Sequence, residues 1–337
     1  MKWIEFPDER LNVNGLPWFG ENAPEVWRLP KRMKDSVSPE VWNLALQPSG
    51  GRIRFSTDAT SVAIRVRYPN LDGMDNMHKV GQMGFDLYVD GVYWSSVFPS
   101  EEANVEGLFY AEVSSKLRNV CIYMPLYHPV QILDIGVNDE ANIWEPGPFS
   151  VRKPVAFYGT SITQGGCASR SGMSYQAILG RELLLDYVNL GFSGNGKGER
   201  ELALATAEVD ASCYVLDFGL NNQTPGEVEA VYGRFLDVLL DARPTIPIIC
   251  VTPIYCSAER FDQKKRELNE GIRQVIRDAV RDRSAESERI GVVEGPRLIG
   301  PEDSDGLVDG VHPNDLGFQK IADGLGHAIF EVLKMVR

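Results

Sequence analysis

Four stretches of this sequence carry the residue types needed to move an acyl group. The first is Lys153-Pro-Val-Ala-Phe-Tyr-Gly-Thr-Ser-Ile-Thr-Gln-Gly-Gly166, an apolar run that stops in small residues and leaves Ser161 at the change. A serine hydroxyl is a poor nucleophile at neutral pH, so it needs a base and donors for the oxyanion formed on attack. Taken alone the motif is ambiguous, because a serine capping the next helix has the same local sequence. The sharp-turn pattern GxSxG is not met, since position 163 is threonine.

The search for a base is short, because the chain holds only four histidines: His78, His128, His312 and His327. Asp309-Gly-Val-His-Pro-Asn314 places a carboxylate three residues before His312. A carboxylate there can hold one ring nitrogen while the other accepts the serine proton. Asp75-Asn-Met-His78 has the same spacing, but it lies in a polar loop, where His78 reads as solvated or substrate-contacting. His327 falls in an amphipathic segment and reads as structural.

Two further loops offer donors. Gly191-Phe-Ser-Gly-Asn-Gly-Lys-Gly198 is open enough for backbone N–H groups to approach a ligand. Gly191, Gly196 and Lys197 fit the GxxxxGK of a phosphate-binding loop, and Asp217 could imitate the aspartate of an NTPase. Gly198, however, stands where a hydroxyl should hold magnesium. In Asp217-Phe-Gly-Leu-Asn-Asn-Gln223, the Asn221 amide is placed to donate to an oxyanion, although such a sequence also simply makes turns.

The elements that must position these residues fall in two halves. Residues 1–150 show short alternating runs and no helical period, which predicts an all-β domain folded as a sandwich. Its candidate strands are Gly51–Ser56, Ser61–Tyr68, Gly84–Val89, Val92–Val97, Asn119–Met124 and Val130–Ile135, with a tight hairpin at Asp90-Gly91. The prolines and glycine of Trp144-Glu-Pro-Gly-Pro-Phe-Ser150 mark the boundary. In residues 151–337 strands and helices alternate. Strands are expected at Pro154–Tyr158, Tyr187–Leu190, Cys213–Phe218, Ile246–Thr252 and Arg289–Val293. Helices are expected near 173–185, 199–208, 225–242, 260–283 and 315–335. This pattern predicts a parallel sheet covered by helices on both faces, with its ligand site beyond the carboxyl ends of the strands. The loops that carry Ser161, Gly194, Asn221 and His312 are expected at that edge of the sheet.

Composition sets the outer bounds. The chain has 337 residues, enough for two domains, and its net charge of −13 disfavours nucleic acid and anionic membranes as partners. No apolar run is long enough to span a bilayer, and the first residues lack a secretion signal, so the expected location is the cytoplasm. Five cysteines (Cys121, Cys167, Cys213, Cys250, Cys256) without a CxxC pair fit reduced thiols and give no metal-ligand spacing. No cofactor and no metal are expected.

Gly159-Thr-Ser161, Gly194 in its Ser-Gly turn, Gly219-Leu-Asn221 and Asp309-Gly-Val-His312 occur in the order of the four blocks of SGNH (GDSL-type) hydrolases, which the chain resembles from residue 151 to 337. Two blocks depart from the family pattern: Gly-Thr-Ser-Ile replaces Gly-Asp-Ser-Leu, and Gly-Leu-Asn-Asn replaces Gly-x-Asn-Asp. Gly84-Phe-Asp-Leu-Tyr88 also looks like the GxDLY motif of a domain found ahead of SGNH esterases. The resemblance implies a flavodoxin-like three-layer α/β hydrolase domain with a parallel sheet, preceded by an all-β, jelly-roll-like sandwich. It implies Ser161 as nucleophile, His312 as general base and Asp309 as its orienting partner, with the Ser161 and Gly194 N–H groups and the Asn221 side chain as oxyanion hole.

Many such proteins remove acyl groups from sugars, so an acetylated sugar is the substrate the resemblance implies. Trp94, Tyr127 and His128 are candidate sugar-stacking residues, with core packing as the alternative. No long apolar groove for a fatty acyl chain is recognisable, which favours a short acyl group. The rival readings are a noncatalytic carbohydrate-binding protein, a lipase or thioesterase, and a nucleotide binder. The oligomeric state is open, a homo-oligomer included.

Overall fold

The computed structural model describes residues 1–284 and 289–334. It divides into two units, one of Met1–Lys34, Trp42–Phe149 and Ser169–Gly172, the other of Asp35–Val41, Ser150–Ala168 and Met173–Arg337.

In the first unit the alternating runs become antiparallel strands: β1 (Lys2–Glu5), β2 (Asn12–Asn14), β3 (Arg52–Thr57), β4 (Val62–Arg67), β5 (Phe85–Val89), β6 (Val92–Val97), β7 (Asn104–Tyr110), β8 (Arg118–Tyr123), β9 (Gln131–Val137) and β10 (Ile143–Trp144). One sheet runs β1-β9-β4-β7 and the other β10-β3-β8-β5-β6, with β2 beside β3. Alternate residues meet in one core, among them Ile53, Phe55, Ile64, Val66, Phe85, Leu87, Ile122 and Ile135, so the unit is a sandwich. Asp90 and Gly91 both take positive φ, which lets the β5–β6 hairpin turn in two residues.

Strand β7 was not expected, because Gly107 interrupts its pattern. A side chain there would meet the Val97 methyls, so the glycine lets β7 lie against β6. The expectation of no helix is corrected as well: Phe19–Asn22, Pro39–Ala45 and Lys79–Met83 are helical. One or two turns are too short to print a period of 3.6. The second of them is held at its end by buried Arg28, which donates to the Leu44 and Gln47 carbonyls at 2.7 Å.

In the second unit β11 (Val155–Gly159), β12 (Tyr187–Gly191), β13 (Cys213–Asp217), β14 (Ile248–Val251) and β15 (Ile290–Val293) form an all-parallel sheet of order β12-β11-β13-β14-β15. This is the flavodoxin-like order, whose switch point lies beside the first strand. β11 through β14 are almost wholly apolar and buried, as strands covered on both faces must be. The helices Tyr175–Glu182 and Asp315–Lys334 pack together, and so do Arg200–Glu208, Pro225–Ala242 and Gln263–Ser284. Helix Pro225–Ala242 starts where its sequence says it should, with Thr224 accepting from the Glu227 N–H and proline in the first turn. Residue 335, at the expected end of the last helix, lies outside the described residues. No described helix is long and apolar enough to cross a membrane.

Candidate active site

The site is assembled from the turns and loops at the carboxyl ends of the parallel strands. β11 ends at Gly159, where a Cβ would stand 2.1 Å from the Thr163 hydroxyl and 2.3 Å from the Asp217 carbonyl. Only glycine permits this approach. The chain then turns at once into the short helix Ser161–Gln164, closed by Gly165 at φ +114°. Ser161 is thus held on a tight strand-to-helix turn, 8% exposed.

His312 comes from the loop ahead of the last helix. Its Nε2 lies 2.9 Å from the Ser161 Oγ and its Nδ1 2.7 Å from the Asp309 Oδ2. The other carboxylate oxygen accepts from the backbone N–H groups of His312 (2.8 Å) and Val311 (3.1 Å). Gly310, at φ +83°, makes the turn that folds these donors back onto Asp309. Burial pushes the Asp309 carboxyl up, but the His312 N–H, the His312 ring and the Val311 N–H outweigh it and hold it at about 2. Asp309 is therefore ionised and can only accept, so Nδ1 carries the proton and Nε2 is left to accept from the serine hydroxyl. A hydroxyl, an imidazole and a carboxylate linked in this order can take a proton from an attacking oxygen and return it.

The expected oxyanion donors lie at the ends of β11, β12 and β13. Gly194 has φ +68° and open space where a side chain would stand. The Asn221 amide donates to the Asn195 carbonyl at 2.5 Å, tying the third loop to the second. Of the candidate sugar contacts, Trp94 is 49% exposed and meets the Tyr110 ring at a tilt of 59°, whereas Tyr127 and His128 are buried. Both ring nitrogens of His128 are engaged, by Asn70 and the Pro129 carbonyl, and burial pushes its pKa down. His78 and His327 are both exposed.

The phosphate-loop reading fails on local chemistry. The Lys197 N–H donates to the Glu199 carboxylate at 2.9 Å, and the Gly198 N–H to the Tyr158 hydroxyl at 3.0 Å, which itself donates to Glu199. A carboxylate seated among the loop amides repels the anion they would otherwise attract.

Sequence reasoning missed the supports. Asn189, fully buried in β12, donates to the Thr163 carbonyl and accepts from the Gly191 N–H; Gln176 donates to the same carbonyl; Gln164 accepts from the Ser193 N–H. They bind the serine turn to the next loop. The available signal was an asparagine inside the apolar run Tyr187-Val-Asn-Leu190, since a buried amide must find partners. Cys167 was also missed as a neighbour of the site. Its thiol, with Asp309 and His312, is the one group of three possible metal ligands among the described residues, all within 4.8 Å. Burial and Asp309 push that thiol up to about 11, while both Asp309 oxygens and both His312 ring nitrogens are engaged in hydrogen bonds.

Comparison with known proteins bears on the whole chain. The profile of the GDSL-like lipase/acylhydrolase family matches residues 152–330, and that of GxDLY, the N-terminus of SGNH-hydrolase-type esterases, matches residues 1–143. A crystal structure from Bacteroides ovatus, described as a GDSL-like lipase, is similar at TM-score 0.90 and 29% identity, covering 99% of this chain and 98% of that one. A salicylyl-acyltransferase of a tetracycline biosynthetic pathway shares the fold at TM-score 0.83 and 18% identity, covering 98% of each chain. An acetyl xylan esterase from Butyrivibrio proteoclasticus does so at TM-score 0.63 and 13% identity, covering 99% of this chain and all of that one. Comparison with curated proteins returns no match. The family profile spans more than half of the sequence, and the chain belongs to the GDSL-like lipase/acylhydrolase family of hydrolases, with a GxDLY N-terminal region.

Proposed function

We propose that the protein is a serine esterase that removes short acyl groups, acetyl above all, from a carbohydrate. The observation that carries this reading is the hydrogen-bonded chain from Ser161 through His312 to Asp309 at the strand ends. Ser161 Oγ attacks the ester carbonyl as its proton passes to His312 Nε2, while Asp309 keeps the imidazolium oriented and offsets its charge. The Ser161 and Gly194 N–H groups and the Asn221 amide receive the oxyanion. Loss of one such donor costs about 3 to 4 kcal/mol in the transition state. His312 returns the proton to the leaving sugar oxygen, and the same nitrogen then activates the water that releases the acid.

The acetyl and carbohydrate parts are supported by fold likeness to carbohydrate esterases, among them the acetyl xylan esterase. The likeness to an acyltransferase favours a second reading, in which the same acyl-enzyme passes its group to an acceptor other than water. Acetate release from acetylated oligosaccharides in plain buffer separates the two. Ser161→Ala is expected to abolish p-nitrophenyl acetate hydrolysis with the fold intact; turnover retained in that variant sinks the assignment. Faster hydrolysis of octanoyl than acetyl esters overturns the short-acyl part. A fluorophosphonate that fails to label the folded protein favours a noncatalytic carbohydrate binder.

A further inference from the structure

The GxDLY stretch, Gly84-Phe-Asp-Leu-Tyr88, has so far no task. Along β5 the residues Phe85, Leu87 and Val89 enter the sandwich core, which turns Asp86 and Tyr88 to the opposite face. There they meet Ser169–Gly172, the short piece of chain that belongs to this unit although it comes after the serine turn in sequence. Asp86 is fully buried; its Oδ2 accepts from the Gly172 N–H at 2.7 Å and from Arg170 Nη1 at 3.1 Å, and its Oδ1 from the Ser96 hydroxyl. Arg170 Nη1 also donates to the Tyr88 hydroxyl at 2.6 Å, and its guanidinium lies 3.7 Å over the Tyr93 ring. The Gly84 carbonyl accepts from the Ser171 hydroxyl at 2.6 Å. Gly172 itself has no room for a side chain, because a Cβ would stand 2.5 Å from the Tyr88 ring. The glycine, the aspartate and the tyrosine of the motif therefore all bind the same stretch, and its leucine packs the core.

That stretch is joined by peptide bonds to the serine turn. From Ser161 the chain passes through Gly165 to Cys167, whose N–H donates to the carbonyl of Pro313, next to His312. Ala168 then bonds back to the Gly165 carbonyl, and Ser169 comes next. On the far side Ser174 begins the helix whose Tyr175 and Gln176 hold Thr163. Both ends of Ser169–Gly172 thus lead to groups that fix Ser161.

We propose that the GxDLY motif is a clasp on the chain leaving the serine turn, and that Asp86 is a positioning residue for Ser161. The inference rests on Ser161 being the nucleophile. Its loss acts through geometry, and a misplacement of about 1 Å costs about 100-fold in rate.

The test uses the full chain and three variants, Asp86→Asn, Tyr88→Phe and Gly172→Ala. It measures the rate of fluorophosphonate labelling at Ser161, kcat and KM for p-nitrophenyl acetate, and hydrogen exchange of residues 162–175. In Asp86→Asn we expect faster exchange in that segment and a fall of about 10- to 100-fold in labelling rate and kcat, with KM little changed. Tyr88→Phe should fall less. Gly172→Ala, which wedges a methyl against Tyr88 and leaves the buried carboxylate paired, decides the matter if Asp86→Asn does not fold. Folded variants that label at the parent rate overturn the clasp alone, even if exchange rises, since the contacts are then merely structural. A parent that does not label at all overturns the esterase reading and the clasp with it.

Discussion

Two segments of this protein spell the same pattern, an aspartate three residues before a histidine, and come to different ends. In Asp309–His312 the backbone reverses at Gly310 with φ +83°, two N–H groups point back at one carboxylate oxygen, and the other oxygen takes the ring. In Asp75–His78 neither intervening residue has positive φ, His78 is extended at φ −66° and ψ 151°, and among the described residues no side-chain bond joins the pair. Spacing brings the two side chains within reach. The turn between them decides whether the carboxylate is fixed before the histidine uses it.

Replacing the histidines gives the widest contrast. His312→Ala should lower kcat for p-nitrophenyl acetate by about 10⁶-fold, whereas His78→Ala should leave it within about twofold, as expected of a solvent-exposed side chain that no carboxylate among the described residues holds. An equal loss in both would erase the distinction. The aspartates come next: Asp309→Asn keeps the shape but not the charge, and should cost about 10⁴-fold in kcat, against no measurable change for Asp75→Asn. Gly310→Ala probes the turn itself. A left-handed alanine costs about 1 to 2 kcal/mol, which would lower Tm by about 2 to 8 °C and loosen the pair enough to reduce kcat by about tenfold. Full activity in that variant would show that the turn is not what sets the two segments apart.

The smallest effect is on stability against pH. Asp309 ionises at about 2 in the folded protein and at about 3.9 when unfolded. Its stabilisation is therefore complete above about pH 4 and is lost as pH falls through about 2. The Tm advantage of the parent over Asp309→Asn should shrink steadily between about pH 5 and about pH 2; a constant difference would mean that the carboxylate is not held by charge.

How much of this was legible depends on where each residue gets its neighbours. The helix at Pro225–Ala242 and the strands β11 to β15 arise from local apolar pattern, proline and capping, so the sequence predicts them within a few residues. Ser161 and His312 could be paired only through the order of four motifs, because their contact spans 151 positions of chain. Asn189, Gln164 and Cys167 escaped because their partners are backbone groups of other loops, which no spacing displays. In β7 the glycine that hid the strand is the one its packing requires.

The aspartate at the end of β13 adds a different kind of consequence. Desolvation pushes the Asp217 carboxyl up to about 6, against hydrogen bonds from Thr163 and Tyr175 that pull it down. A group raised in this way destabilises the folded protein once ionised, so it withdraws stability between about pH 4 and pH 6, where Asp309 has already given all of its own. The two carboxylates, one behind the serine turn and one behind the histidine, bear on the fold with opposite sign as acidity changes. Their two contributions balance near about pH 4, where the part of the fold's stability that the site itself supplies is greatest.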